Sequence, residues 1–334
     1  MEKIAVRIAG NLGDHLAMNR LIPSIMEKYE NAEITCYSYC AREYPANVLR
    51  EFFPSFYKEV KFIPRKDLPY SLCWIKSEHG NPVNCAQHLV NSPKEILEEM
   101  KGYDKFYELT PTFFISEYKN YDFDWYSRYY YFPKPEIELE CKDKDDFLVF
   151  HLDSSSDVNA NVLSSEDIEK LILKFSSYIK CYVIVEKNPS FYSFAEKHDN
   201  IEILMGPISE IASYISKAKC FVGIASGFQY FAFTYGIPAV ILAAQCQEKG
   251  FCDPNFMVPL GIYPHVYLPL SISYEEVFER VNVILKEKIF NVFPYLAIVP
   301  PNELYQSLGG SFALRSMKPY KLVPKCSEEE TNKY

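Results

Sequence analysis

Lys3–Ala9 is a short run of β-branched and apolar residues that stops at Gly10-Asn11-Leu12-Gly13. From Asp14 the period changes: Met18, Leu21, Ile22, Ile25, Met26 and Tyr29 recur at helical spacing. Residues 33–39 alternate like a second strand, 59–64 like a third and 104–109 like a fourth, the last preceded by a helix near 93–101. A second series begins at residue 147. Runs at 147–152, 181–185, 201–204, 220–222 and 239–243 read as buried strands. Helices fit near 191–198, 209–217, 227–235 and 274–288, with a long loop at 244–266. Ser164-Ser165-Glu166-Asp167 is a capping-box-like start for one more helix, reaching about residue 179.

Strand and helix alternating in this way is βαβ logic, which predicts parallel sheets covered by helices on both faces. The expected fold class is therefore α/β, with two Rossmann-like, doubly wound domains facing each other across a cleft. Ligands of such folds sit outside the carboxyl ends of the strands. The boundaries read as a first domain over 1–135, a linker over 136–146, a second domain over 147–290 and a tail over 291–334 that packs back on the first. Pro133-Lys134-Pro135 and the charged run after it mark the linker. The aromatic-rich stretch 110–132 breaks the pattern just before it.

Composition narrows the field. Hydrophobic residues at 48% are ample for a core and exclude a disordered chain. A formal net charge of −9 argues against a nucleic-acid binder, whose footprint is usually basic. No apolar run approaches the roughly 20 residues of a membrane span. Glu2 and Arg7 stand where a signal peptide needs an apolar stretch, so the chain reads as soluble and cytoplasmic. The ten cysteines form no CxxC pair, and reduced, mostly buried thiols are the expectation. His79, His88 and His265 show no metal-ligand spacing, and no metal or cofactor is expected.

Two segments carry candidate chemistry. Gly10-Asn11-Leu12-Gly13-Asp14-His15 ends a strand and opens a helix, where glycines let the backbone approach a ligand and free amides face an anion. It is not a GxGxxG. Asp14 is either first-turn charge complementing the helix dipole or a functional carboxylate. The second segment runs strand, turn, helix, strand, small-residue turn, helix, strand over residues 201–243, with Ala225-Ser226-Gly227 at a strand-to-helix turn that offers amides and a hydroxyl to phosphate. Glu186-Lys187 follows another strand, and a carboxylate there could bond ribose hydroxyls while the ammonium meets phosphate. His151 also closes a strand. Asp122-Phe123-Asp124 is a DxD among aromatics.

On these residues the chain resembles the ADP-heptose:lipopolysaccharide heptosyltransferase family of GT-B glycosyltransferases. Gly13-Asp14 matches that family's Gly-Asp after the first strand, and Gly206, Ser209 and Glu210 match its second-domain helix motif. Ser226-Gly227, Ala232 and Gly236-Ile237-Pro238 match much of its Asp-Thr/Ser-Gly-x-x-His-x-Ala and Gly-x-Pro. Ala225 replaces the family's Asp and Gln229 its His, as in a divergent member. The resemblance implies a metal-independent inverting transfer of heptose or another sugar from a nucleotide-diphosphate sugar to a hydroxyl. It implies a place in bacterial surface-glycan or lipopolysaccharide synthesis, with peripheral contact to a membrane-borne acceptor. Asp14 becomes the general base, with Gly13, Glu186, Lys187, Ile208, Ser226, Gly227 and Gln229 around the donor. Trp125, Tyr126 and Arg128 are expected along a glycan or protein acceptor. The alternatives are a protein O-glycosyltransferase of the same fold, an NAD(P)-dependent oxidoreductase with two Rossmann domains, which lacks its GxGxxG here, and a catalytically silent binding module.

Overall fold

A computed structural model describes residues 1–40, 42–64, 98–99, 101–109, 133–143, 145–153, 163–186, 189–224, 226–242, 265–268 and 273–286. The chain divides into two compact units, Met1–Glu138 and Leu139–Tyr334.

The first unit holds β1 (Lys3–Ala9), α1 (Leu12–Asn19), α2 (Ile22–Lys28), β2 (Glu33–Cys40), α3 (Tyr44–Phe52), β3 (Glu59–Pro64) and β4 (Lys105–Leu109). Its sheet has the order β3-β2-β1-β4, every pair parallel. β1 is central and buried from Ile4 to Ile8, so its apolar run is continuous rather than alternating. The one helix expected from Asp14 is two. α1 ends at Asn19, and α2 restarts with Pro23 in its first turn. A proline there has no N–H to continue the first helix and would clash with the carbonyl of Asn19. Met26, read as part of the apolar face, is exposed. α3 was not anticipated; Ala46, Val48, Leu49 and Phe52 are its buried side.

The second unit runs β5 (Phe147–His151), α4 (Ser165–Ser176), β6 (Lys180–Ile184), a 3₁₀ stretch (Pro189–Lys197), β7 (Ile201–Leu204), α5 (Ile208–Ile215), β8 (Cys220–Ile224), α6 (Gln229–Tyr235), β9 (Ala239–Leu242), β10 (His265–Leu268) and α7 (Tyr274–Lys286). The six-stranded parallel sheet has the order β10-β9-β8-β5-β6-β7. That is the dinucleotide-fold order, with the reversal between β5 and β8. The helix expected at 191–198 is instead the 3₁₀ stretch, kinked at Tyr192. β10 lies at the end of what read as a loop.

Side chains alternate across this sheet. Leu148, Phe150, Val183, Val222 and Val240 join Ile168, Leu171 and Phe175 of α4 and Val277, Val281 and Ile284 of α7 in one core cluster. Each such fully buried side chain contributes about 1.5–3 kcal/mol. Aromatic rings gather elsewhere: Phe147 lies 5.0 Å from Tyr182, which lies 4.5 Å from Tyr214. Residues after the prolines are tied to different units. The Glu136 amide bonds Phe52 O, and its carboxylate takes the Ser55 hydroxyl. Asp143 accepts from the Tyr182 hydroxyl at 2.6 Å and pairs with Lys180 at 3.0 Å, while Lys142 pairs with Glu210.

Candidate functional site

In the first unit the β1–α1 connection is a folded turn. Gly10 has φ +124°, and a β-carbon there would stand 2.1 Å from Asp14 Oδ2. Only glycine lets that carboxylate fold back over the turn. Asp14 Oδ2 accepts the Asn11 N–H at 2.7 Å, the acid half of a capping box. Asp14 is thus a half-buried helix-cap carboxylate, whose negative charge the α1 dipole favours. Gly13 is buried in the first turn of α1.

His15 beside it is wholly buried. Its Nδ1 is 2.8 Å from Asn11 O and its Nε2 2.8 Å from Ser38 Oγ. A carbonyl can only accept, so Nδ1 carries the proton and Nε2 accepts from the serine. Burial pushes this imidazole down to about 4, the Asn11 bond opposing. His15 is therefore a neutral brace between the turn and β2, not a base.

In the second unit, candidate side chains converge where the strand order reverses. β5 ends in His151, which is fully buried, and its Nδ1 is 2.8 Å from Ser226 Oγ on the β8–α6 turn. Nε2 lies 3.7 Å from Glu186 Oε1, past the end of β6, and makes no hydrogen bond. The Phe228 ring stands edge-on to the imidazole at 4.9 Å. Asp153, 9% exposed, accepts the Glu186 amide at 3.4 Å. Burial pushes His151 below the ordinary imidazole range, while the Glu186 and Asp153 carboxylates pull it upward. Burial raises the Tyr192 phenol, and Asp153 raises it further.

Of the residues expected around a donor, Ser226 and Glu186 meet through His151. Gly227 occupies the same turn, and Gln229 opens α6 with both amide atoms buried and unpartnered. Ile208 begins α5 after β7, half-buried. β8 and β7 are three strands apart, roughly 14 Å. Glu186, past the end of β6, stands between the strands that lead to Ser226 and to Ile208. Lys187, Ala225, Trp125, Tyr126, Arg128 and the Asp122–Asp124 pair lie outside the described residues. The Gly236-Ile237-Pro238 motif has a structural duty. Gly236 stops α6 at φ +69°, with the Ile237 amide bonding Ala232 O. Phe228 was not foreseen; an aromatic directly after a Ser-Gly turn was its only signal.

No protein-family model matches the chain. No curated protein matches it in sequence. Solved structures share its fold. The ADP-heptose lipopolysaccharide heptosyltransferase II of E. coli superposes with a TM-score of 0.59 at 12% identity, covering 86% of this chain and 99% of that one. The glycosyl transferase family 9 protein of Veillonella parvula gives 0.56 at 12% identity, over 86% and 98%. The E. coli heptosyltransferase WaaC with ADP gives 0.50 at 12% identity, over 85% and 98%. The fold is thus the GT-B fold of glycosyltransferases, two parallel α/β sheets, as the residue pattern and the resemblance anticipated. Among the described residues no helix is long and apolar enough to cross a membrane, and no group of three or more His, Cys, Asp or Glu is placed to hold a metal ion.

Proposed function

We propose that this chain is a glycosyltransferase that moves a sugar from a nucleoside-diphosphate sugar to a hydroxyl acceptor with inversion, without a metal or other cofactor. The observation that carries the reading is the convergence of Ser226, His151 and Glu186 at the strand-order reversal of a GT-B fold. In this reading the diphosphate lies on the Ser226–Gly227 turn, with Gln229 and Lys187 beside it. Glu186 accepts ribose hydroxyls, and the base reaches the edge of Ile208.

Direct displacement at the anomeric carbon breaks the bond to the diphosphate as the acceptor oxygen attacks. Asp14 takes the proton from that oxygen, and Gly13 keeps the backbone close to the sugar. The departing charge is met by the serine hydroxyl, by amides of the turn and by protons held nearby. Trp125, Tyr126 and Arg128 stack on and pair with the acceptor, so Trp125→Ala raises the acceptor KM. The sugar is a heptose or hexose, the acceptor a surface glycan, and the work is done in the cytoplasm, at the membrane face where a lipid-borne acceptor presents itself.

A thermal-shift screen against ADP-, GDP-, UDP- and CMP-sugars tests the reading. A ligand at ~100 times its dissociation constant adds about 2.7 kcal/mol. Stabilisation by one of the diphosphate sugars supports it, whereas stabilisation by a CMP-sugar alone, a monophosphate ester, contradicts it. No shift with any of them, together with no nucleotide release over days and in EDTA, refutes it.

A further inference from the structure

The His151 ring presents an accounting problem. Glu186 Oε1 faces Nε2 at 3.7 Å, and a carboxylate beside that nitrogen favours a proton on it. In the neutral ring Nδ1 is then the acceptor, and the bond at 2.8 Å must be donated by the Ser226 hydroxyl. A serine whose only proton points at a histidine cannot give it to a phosphate. For Ser226 to donate outward, Nδ1 must become a donor while Nε2 keeps its proton.

We propose that His151 takes up one proton from solvent when the diphosphate seats on Ser226, so that donor binding and His151 protonation are one event. This rests on the donor placement proposed above. The proton adds to Nδ1, the Ser226 O–H turns from the ring to a phosphate oxygen, and the new Nδ1–H donates to the serine oxygen. No bond to carbon or phosphorus changes.

The surroundings fit an imidazolium. The groups facing the ring are Glu186 from the end of β6, Asp153 from beyond β5, and Ser226 with the Phe228 ring from the β8–α6 turn. Lys187 lies outside the described residues. Two carboxylates and an arriving diphosphate all favour the cation. In the free protein burial opposes it and holds the ring below its ordinary range. The ligand's charge reverses that balance. The consequence for transfer is that the leaving group departs beside a cation that the ligand itself created.

The test is calorimetry on the full chain at pH 6.5 with ADP, GDP, UDP and CDP, using whichever binds. Heats measured in buffers of different ionisation enthalpy give the protons taken up per nucleotide. His151→Asn is the comparison, because its amide nitrogen can still donate to Ser226. An imidazolium beside it favours the dianion of the nucleotide's own terminal phosphate, so that group's protonation is followed by ³¹P NMR in both complexes and subtracted. Wild type exceeding the variant by about half a proton or more supports the proposal, and a smaller difference overturns it. ¹⁵N-histidine NMR of the wild type covers a variant that fails to fold. One of the six histidines must pass from singly to doubly protonated with nucleotide, and six unchanged rings overturn the proposal. Absence of binding by all four nucleotides overturns the donor placement itself, a result distinct from binding without proton uptake.

Discussion

Replacing Asp14 with asparagine separates the two duties proposed for this carboxylate. As a cap, its Oδ2 receives the Asn11 N–H at 2.7 Å, and an asparagine amide oxygen can receive the same bond. What the substitution removes is the negative charge at the α1 N-terminus, worth about 0.3–1 kcal/mol. In a unit of this size that lowers the melting temperature by a few degrees at most. As a base, the same change removes the only group proposed to take the acceptor proton, a loss of about 10²–10⁴-fold in kcat. The loss of turnover corresponds to about 2.7–5.5 kcal/mol in the activation barrier, against at most about 1 kcal/mol in stability, so one variant reads both. Asp14→Ala is the companion: it deletes the bond as well, and costs about 0.5–1.5 kcal/mol more in stability. The assay is nucleotide release from the donor with water as acceptor, which needs the same base, alongside thermal unfolding. Asp14→Asn with turnover within threefold of wild type would refute the assignment and leave Asp14 a helix cap. Turnover is compared per folded protein, so that a loss tracking unfolding is not counted to the base.

Other outcomes are as definite. Gly227→Val places a branched side chain on the turn proposed for the diphosphate and should abolish nucleotide binding in a folded protein; unchanged affinity in a titration contradicts the placement. Gly10→Ala forces alanine to φ +124° against Asp14, a strain of about 1–3 kcal/mol, visible as a lowered denaturation midpoint. Because the His15 imidazole is held to about 4 rather than 6.5, the stability it confers is complete above pH 6.5 and is lost as pH falls toward 4, by about 3 kcal/mol. His15→Gln should flatten that limb of the stability–pH curve, and an unchanged limb would show another group responsible. The Tyr182 hydroxyl first and the Lys180 ammonium second hold Asp143 down to about 2 from 3.8, so its contribution persists above pH 3.8 and disappears toward pH 2. Asp143→Asn should make acid unfolding less steep in that window, as followed by circular dichroism.

The strands were legible in two ways: central β1 buries both faces and leaves a continuous apolar run, whereas edge strand β3, with only Val60 buried, shows alternation. Lys3–Ala9 and Glu59–Pro64 emerged with the bounds the pattern suggested. The α1–α2 break was hidden because helical spacing survives across Pro23, although the backbone ladder does not. α3 was missed although Pro45 sits in its first turn. β10 is no shorter than β7 or β9, but it stands between Pro264 and Pro269 and so reads as part of the loop before it. The candidate site was half legible. Ser226 and Glu186 could be picked out locally, as residues at strand ends. The bond from Ser226 to His151 joins positions 75 apart in the chain and exists because β5 lies next to β8. Strand order is a property of the whole sheet, and no local pattern encodes it.

The ties on either side of residue 139 matter to anyone who would cut this chain in two. The sheet of the second unit begins at Phe147, and a fragment started there looks complete by its secondary structure. It would nonetheless strip Tyr182 of its 2.6 Å acceptor, Lys180 of Asp143 and Lys219 of Asp146. Those partners sit at the foot of β6 and before β8, beneath the ring cluster of Phe147, Tyr182 and Tyr214. Starting the fragment at Leu139 keeps all three. Glu136, bonded to Phe52 and Ser55, goes with the other piece. A fragment of the second unit therefore begins at Leu139 and not at Phe147.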